Sequence, residues 1–529
     1  MAKNILLVVI DQFRADCLAA VNSEATPKSL SHSVELPNLR ALMQDGMTFN
    51  QHYTVTTPCG PSRASLLTGL YAMNHRSVRN GTPLGKHHKT LGNYMRTVGY
   101  EPMLFGYTDI SADPDGRHPK DPDLKDYEGL SQGFVEAIRM RGDSGGGPWV
   151  GYLKRKGYPV PEKYGELYRP VLDANTASSQ DPLGSPIRSP ALYSAEDSDT
   201  AFLTDRTIEA LWAKTNVPWF SMVTYIRPHP PLVAPSPFNT MVDPASIPKP
   251  AGSRSIDELK ATHPFYEGFF SEPSNKGLYI GFDGDHESLS EQHSAELRAV
   301  YLGLAKEVDE HLGRLIDFLK ESGQYEDTLV VVTADHGEML GDHGLWGKNS
   351  PMDPALRLPL IIRDPSMPQS HGTSTDMLTE SVDLVPTLLD WCDGEKAPAL
   401  DGRSLMPFIK GSNPGAWRKH VFAEVELGEP DVPTRFERSL GLSTSNANYA
   451  VLRDHQFKYV HFNGGLPPML FDMQNDPSED YDLAQNTEYA DVLRQFTARM
   501  LDHRMSHAER SLSNLKVTDD GLFVPPKNF

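Results

Sequence analysis

Two apolar runs in this 529-residue chain each stop on side chains that bind cations. "LLVVIDQ" ends in Asp11 and Gln12, and "LVVVTADHG" ends in Asp335 and His336. In open α/β sheets the carboxyl ends of strands face the ligand crevice. Two carboxylates, an amide oxygen and an imidazole converging there would suit a divalent metal. A single strand often ends in Asp as a turn or cap, so it is the pair that favours metal. Between them in the chain lies Cys59, opening "CGPSRASLLTGL". Proline near its start, with Leu66, Leu67 and Leu70 on one side, predicts a helix whose free N–H groups favour negative charge. Arg63 follows about one turn on, so its guanidinium can point the same way. From the residues alone, Cys59 is either an activated thiolate nucleophile or a small buried hydrophobe. A metal and an arginine beside the sulfur favour chemistry on an anionic substrate.

The rest of the chain must position these groups. "NILLVVID" reads as a strand buried on both faces. "PNLRALMQDG", "TLGNYMRTVGY" and "DTAFLTDRTIEALWAK" read as helices, and "PMLFGYTD" and "VPWFSMVTYI" as strands. The clearest helix covers 291–321, with Leu297, Val300, Leu304, Val308, Leu312, Leu315 and Leu319 on one face. "DTLVVVTAD", "LPLIIRD" and the helix "ESVDLVPTLLDWC" follow. Strands alternating with helices predict an α/β fold, a mainly parallel central sheet covered on both sides. The expected catalytic domain is 1–410, with loop-like insertions near 141–190 and 230–290. A smaller C-terminal α+β domain is expected over 411–529, with a helix near 487–510 and a terminal arm.

Composition narrows the function classes. A formal charge of −20 disfavours nucleic acid and anionic membranes as partners. Three cysteines, Cys17, Cys59 and Cys392, argue against a disulfide framework. The apolar run after "MAKN" is too short for a signal segment, and no run has the length to span a bilayer. The expected setting is soluble, reducing and cytoplasmic.

"CGPSRASLLTG" resembles the C-x-P-S/A-R signature of the sulfatases, whose cysteine is oxidised after synthesis to formylglycine. The resemblance continues in order through "DQ", "NHRSVRNG", "GYTD", "RPHPP", "TADHGEMLGDHGLWGK" and "LFDMQNDPSEDYDLA". It spans nearly the whole chain. Within the alkaline phosphatase superfamily it is most similar to the phosphonate monoester hydrolases and the bacterial arylsulfatases near them. The resemblance implies Asp11, Gln12, Asp335 and His336 as metal ligands, with residue 59 as the fifth. It implies that Arg63 and Lys348 are cations holding the nucleophile and the transferred group. Asn80 would contact a formylglycine hydroxyl, and His229 would lie on the substrate or leaving-group side. One hydroxyl of the aldehyde hydrate would attack sulfur or phosphorus, and the other would then expel the product by re-forming the aldehyde.

The chain departs from the family at "GYTDI", where sulfatases carry Lys-x-His and the phosphonate hydrolases Tyr-x-Thr. Here stand Tyr107 and Asp109. Asp109 is expected to supply the base for the second hydroxyl, and its charge to disfavour dianionic phosphate. Sulfate monoesters are therefore the expected substrates, with phosphonate monoesters or phosphodiesters as the alternative. Gln12 and His336 replace harder ligands, so manganese is expected ahead of calcium, zinc or iron. The resemblance also implies a formylglycine-generating enzyme as partner and a homo-oligomer, dimer or tetramer. A thiol hydrolase with unmodified Cys59, a phosphoryl hydrolase with another nucleophile, and a non-catalytic relative are the competing readings.

Overall fold

The structure is a computed structural model and describes residues 4–18, 29–142, 145–172, 187–214, 217–252, 254–272, 277–280, 289–395, 400–412, 414–509 and 515–523. Among these, eight strands form the central sheet. Their order is Thr373–Thr375, Met47–Phe49, Leu360–Arg363, Thr328–Ala334, Asn4–Ile10, Phe220–Tyr225, Pro102–Gly106 and Val135–Arg139. All neighbours pair in parallel except at Leu360–Arg363, which runs antiparallel to both of its neighbours. "LPLIIRD" therefore forms the strand expected of it, in the opposite direction to the rest. The α/β class with a mainly parallel sheet holds.

The central strands are apolar on both faces because helices cover both. Asn4–Ile10 and Thr328–Ala334 are buried along their whole length. On one side lies the helix Glu291–Glu321, whose seven predicted core positions are all at most 1% exposed. Truncating one of them, such as Leu304, to alanine costs about 2–5 kcal/mol. This helix also reaches the site. Its Tyr301 hydroxyl donates to the Gln12 carbonyl at 2.7 Å and accepts from the Arg14 N–H at 2.9 Å. Its Asp309 accepts from the Leu39 N–H at 2.7 Å and the Asn38 N–H at 3.2 Å, capping the helix Pro37–Asp45. On the other side the helix Cys59–Thr68, buried throughout, packs with Leu384–Trp391.

The insertion near 141–190 is not all loop: Gly147–Lys156 is a helix that buries Trp149 and Leu153. Two apolar anchors in ten residues carry no clear period, which hides it from the sequence pattern. In the second insertion, Ile256–Thr262 and Pro264–Phe269 are short helices. Parts of both insertions (143–144, 173–186, 281–288) and of the terminal arm (510–514, 524–529) lie outside the described residues. Towards the C-terminus an antiparallel sheet joins Val421–Glu426, Asn448–Arg453, Phe457–Phe462 and Met469–Asp472. The helix Ala490–Ser506 lies against it, and a two-stranded ribbon, Lys516–Thr518 with Gly521–Phe523, follows.

Candidate active site

The register of the two central strands creates the site. Ile10 pairs with Ala334, so Asp11 and Asp335 leave the sheet side by side. The chain then turns sharply: Gln12 has φ 62, a left-handed conformation that costs a non-glycine residue about 1–3 kcal/mol. Two bonds hold it there, from its own N–H to Asp335 Oδ1 at 3.1 Å and from the Tyr301 hydroxyl to its carbonyl. Next along the sheet edge, the strand Pro102–Gly106 delivers Tyr107. Gly106 has φ 114, and a Cβ there would fall 2.1 Å from Thr224 Oγ1. That hydroxyl accepts the Tyr107 N–H at 2.8 Å, so glycine permits the strand to end close against its neighbour.

The helix Cys59–Thr68 points its first residue at this edge. Cys59 Sγ lies 3.2 Å from His336 Nε2 and 3.1 Å from Lys348 Nζ. The ligating atoms of Asp11, Cys59, Asp335 and His336 all fall within 4.8 Å of one another. His336 Nδ1 donates to the Gly337 carbonyl at 3.0 Å, because a carbonyl can only accept. Its Nε2 lone pair therefore faces the cluster. Burial pushes the His336 imidazole down to about 4, so it is neutral at neutral pH, as a ligand must be. Burial, then the neighbouring Asp335 charge, raises the Asp11 carboxyl. Burial also opposes ionisation of Asp335, but His336 and Arg63 hold its carboxyl below the usual range. Two carboxylates, one imidazole and an amide oxygen fit a divalent ion of mixed oxygen and nitrogen preference. Gln12 belongs to the set by orientation: its amide nitrogen donates to Glu338 and its Oε1 accepts from Lys348 Nζ at 2.8 Å. A carbonyl oxygen keeps a second lone pair for a cation.

Arg63, expected with Lys348 to hold the nucleophile and the transferred group, turns three of its donors on neighbouring protein acceptors. Its Nε donates to Asp335 at 3.0 Å, Nη2 to Asp11 at 3.1 Å, and Nη1 to the Tyr107 carbonyl at 3.0 Å. Fully buried, with the Tyr107 ring 4.1 Å from its Cζ, it fixes the two carboxylates. The cation facing the sulfur is Lys348. Burial alone would lower its ammonium, but Cys59 and Asp11 outweigh that and hold it above its ordinary value.

The other predicted residues assemble here too. Tyr107 donates its hydroxyl to Asp11. Asn80 accepts the Gly60 N–H at 2.9 Å, capping the cysteine's helix. A Cβ on Gly60 would meet Asn80 Oδ1 and the Asp109 carbonyl, each at 3.1 Å, so a side chain there would press on both. Asp109, at φ 53, places Oδ2 3.9 Å from Arg63 Nε and leaves Oδ1 buried without a partner. Burial drives its carboxyl well up, with Arg63 opposing. His229 Nε2 lies 2.9 Å from Lys348 Nζ. Burial, then Asp11, pushes the Cys59 thiol well up, so the surrounding protein groups do not make a thiolate.

A cavity of ≈ 390 Å³ opens over Lys348 and His229. Tyr168 of the first insertion and Leu278 and Ile280 of the second line it, with Ile226 and Trp346. Sequence reasoning missed three residues that shape the site: Tyr301, Glu338 and Arg227. Glu338 and Arg227 sit inside the motifs "TADHGE" and "RPHPP", which was the available signal.

Residues 3–394 match the sulfatase family, and 341–506 match the C-terminal region of N-sulphoglucosamine sulphohydrolase. A multifunctional alkaline phosphatase superfamily protein of Trinickia caryophylli, PehA, is 36% identical, with 98% of each chain covered. The structure of a phosphonate monoester hydrolase from Silicibacter pomeroyi superposes with TM-score 0.92 at 46% identity, covering 100% of both chains. That of Agrobacterium radiobacter gives 0.91 at 35%, covering 99% of this chain and 100% of that one. The chain belongs to the sulfatase family of the alkaline phosphatase superfamily and is an ester hydrolase.

Proposed function

We propose that this enzyme hydrolyses esters whose transferred group carries a single negative charge, using a formylglycine made from Cys59. The full-length likeness to two phosphonate monoester hydrolases favours phosphonate monoesters first. Sulfate monoesters come second, because their transferred group carries the same single charge and residues 3–394 match the sulfatase family. The observation that carries the charge preference is the state of the two cations. Arg63 turns three of its five N–H groups on Asp335, Asp11 and Tyr107, while the Lys348 ammonium lies beside residue 59.

In this reading Cys59 Sγ marks the place of an aldehyde-hydrate oxygen. One hydroxyl, having released its proton to solvent, attacks sulfur or phosphorus through its oxygen as the bond to the alcohol breaks. The leaving oxygen takes a proton from the Lys348–His229 pair. The Lys348 ammonium has no lone pair, so it is the donor to His229 Nε2 across 2.9 Å. His229 Nδ1 in turn donates to the Pro230 carbonyl at 2.5 Å. A base, which we assign to Asp109, then takes the second hydroxyl's proton. The C=O bond re-forms, the bond from carbon to the ester oxygen breaks, and sulfate or phosphonate departs. Water restores the hydrate. A divalent cation at Asp11, Gln12, Asp335 and His336, manganese foremost, would supply electrostatic stabilisation and acidify a hydroxyl beside it. Arg63 and Tyr107 keep the carboxylates in place, and Lys348 stabilises charge on the transferred group.

The reading also requires a formylglycine-generating enzyme as partner. The test is a panel of aryl phosphonate, sulfate, phosphate mono- and diesters compared by kcat/KM. Phosphonate and sulfate monoesters should lead. A dianionic phosphate monoester ranking first would refute the charge argument.

A further inference from the structure

We propose that Arg227 is a positioning residue for His229, anchored by Asp199, and that it holds the imidazole in register with Lys348. This rests on the reading that the Lys348–His229 pair delivers the proton to the leaving group.

The turn that carries His229 is poor in donors of its own. In "RPHPP", residues 228, 230 and 231 are prolines and offer no backbone N–H. The His229 N–H closes the turn on the Ile226 carbonyl at 3.0 Å. The Pro231 carbonyl accepts the Val233 N–H at 2.9 Å, whereas the His229 carbonyl needs a donor from a side chain, since buried backbone acceptors are nearly always paired. Arg227 Nη1 supplies it at 3.0 Å and bridges to the Pro231 carbonyl, also at 3.0 Å.

The guanidinium is itself fixed. It is 1% exposed, and its Nε donates to Asp199 Oδ2 at 3.1 Å. Its Cζ lies 4.3 Å from the centre of the Tyr168 ring, whose hydroxyl also donates to Asp199, at 3.3 Å. Asp199 is the first residue of the helix Asp199–Trp212 and 3% exposed. The clamp therefore ties a rigid helix to the turn above the sheet edge. Lysine is a poor substitute, because one ammonium cannot reach a carboxylate and two carbonyls with fixed fork geometry.

The consequence lies in the imidazole. With the turn held, His229 Nδ1 meets the Pro230 carbonyl and Nε2 meets Lys348, so one tautomer is imposed. If the turn relaxes, the fixed tautomer and the 2.9 Å contact go together. Proton delivery matters most for leaving groups that are poor without it, which separates this role from a general structural one.

The experiment compares Arg227→Lys, Asp199→Asn, His229→Ala and the double Arg227→Lys/His229→Ala across aryl and alkyl esters of graded leaving-group pKa. The expected loss in kcat/KM for Arg227→Lys is ~10–100-fold on poor leaving groups and under ~3-fold on nitrophenyl esters. Asp199→Asn should give the same pattern, and the double variant should be no worse than His229→Ala. A loss uniform across leaving groups, or one that adds to His229→Ala, overturns the assignment. Nitrogen NMR of labelled histidine gives a second, activity-free reading. The wild-type enzyme should show His229 as the Nδ1–H tautomer and Arg227→Lys a mixture. A variant that keeps the fixed tautomer overturns the clamp. Flat leaving-group dependence in His229→Ala would instead sink the proton-delivery reading on which the clamp's role depends.

Discussion

Lys348 Nζ stands 3.1 Å from Cys59 Sγ, although 289 residues separate them in the chain. It is a side-chain cation facing the nucleophile position, while Arg63 directs three N–H groups to two carboxylates and the Tyr107 carbonyl. Lys348→Met should therefore lower kcat by ~10²–10³-fold, the usual cost of removing one preorganised donor to developing charge. Because Lys348 also donates to Gln12 Oε1, kcat is to be compared at saturating manganese. A loss confined to KM would assign Lys348 to ground-state binding instead.

Tyr107 acts on Asp11 through its hydroxyl, and on Arg63 through its ring and carbonyl. Tyr107→Phe removes only the first of these. A partner that orients a ligating carboxylate typically contributes ~10–100-fold in metal affinity. We expect a drop of that order for manganese, measured by equilibrium dialysis against a metal buffer. Unchanged affinity would mean Asp11 is positioned by Arg63 alone.

Asp109 is where the chain departs from its family's residues. If its carboxyl removes the second hydroxyl's proton, Asp109→Asn should slow breakdown of the covalent ester. The expected signature is a burst of alcohol release followed by slow turnover, and the modified peptide should accumulate under quench. Normal turnover with no covalent build-up would remove Asp109 from the mechanism.

Buried neutral histidines set an acid limit on stability. Burial pushes His52 and His75 down to about 3. Unfolded, each would titrate near 6.5, so between 6.5 and about 3 the unfolded chain binds protons that the folded chain does not. Their contribution is complete above pH 6.5 and is lost as pH falls through that window. Melting temperature should fall across it, with proton uptake on unfolding. His75→Gln should flatten the slope, and an unaltered slope would assign the acid limit to other groups. Its ring nitrogens meet Ser65 Oγ at 2.8 Å and the Ser77 N–H at 3.1 Å.

Much of this was legible because strand ends are chemically marked. "VVID" and "VTAD" announce two strands and two carboxylates, and the sulfatase-like motifs order the other site residues. The Ile10–Ala334 register that makes the carboxylates neighbours is a property of pairing, which neither strand encodes alone. The direction of Leu360–Arg363 was hidden for the same reason, since an apolar run reads alike both ways. For Arg63, sequence places a cation one turn from Cys59 but not the three acceptors that orient it. Arg227 lies inside the motif "RPHPP", but its role was hidden because its partners are backbone carbonyls and an aspartate 28 residues away.

The account stands most directly on the chemical state of residue 59. Intact-peptide mass spectrometry of the stretch around Cys59, on active enzyme from its native host, measures that state. The account predicts a peptide carrying an aldehyde in place of CH₂SH, captured by hydrazide, in proportion to specific activity. An unmodified thiol in fully active enzyme would contradict it.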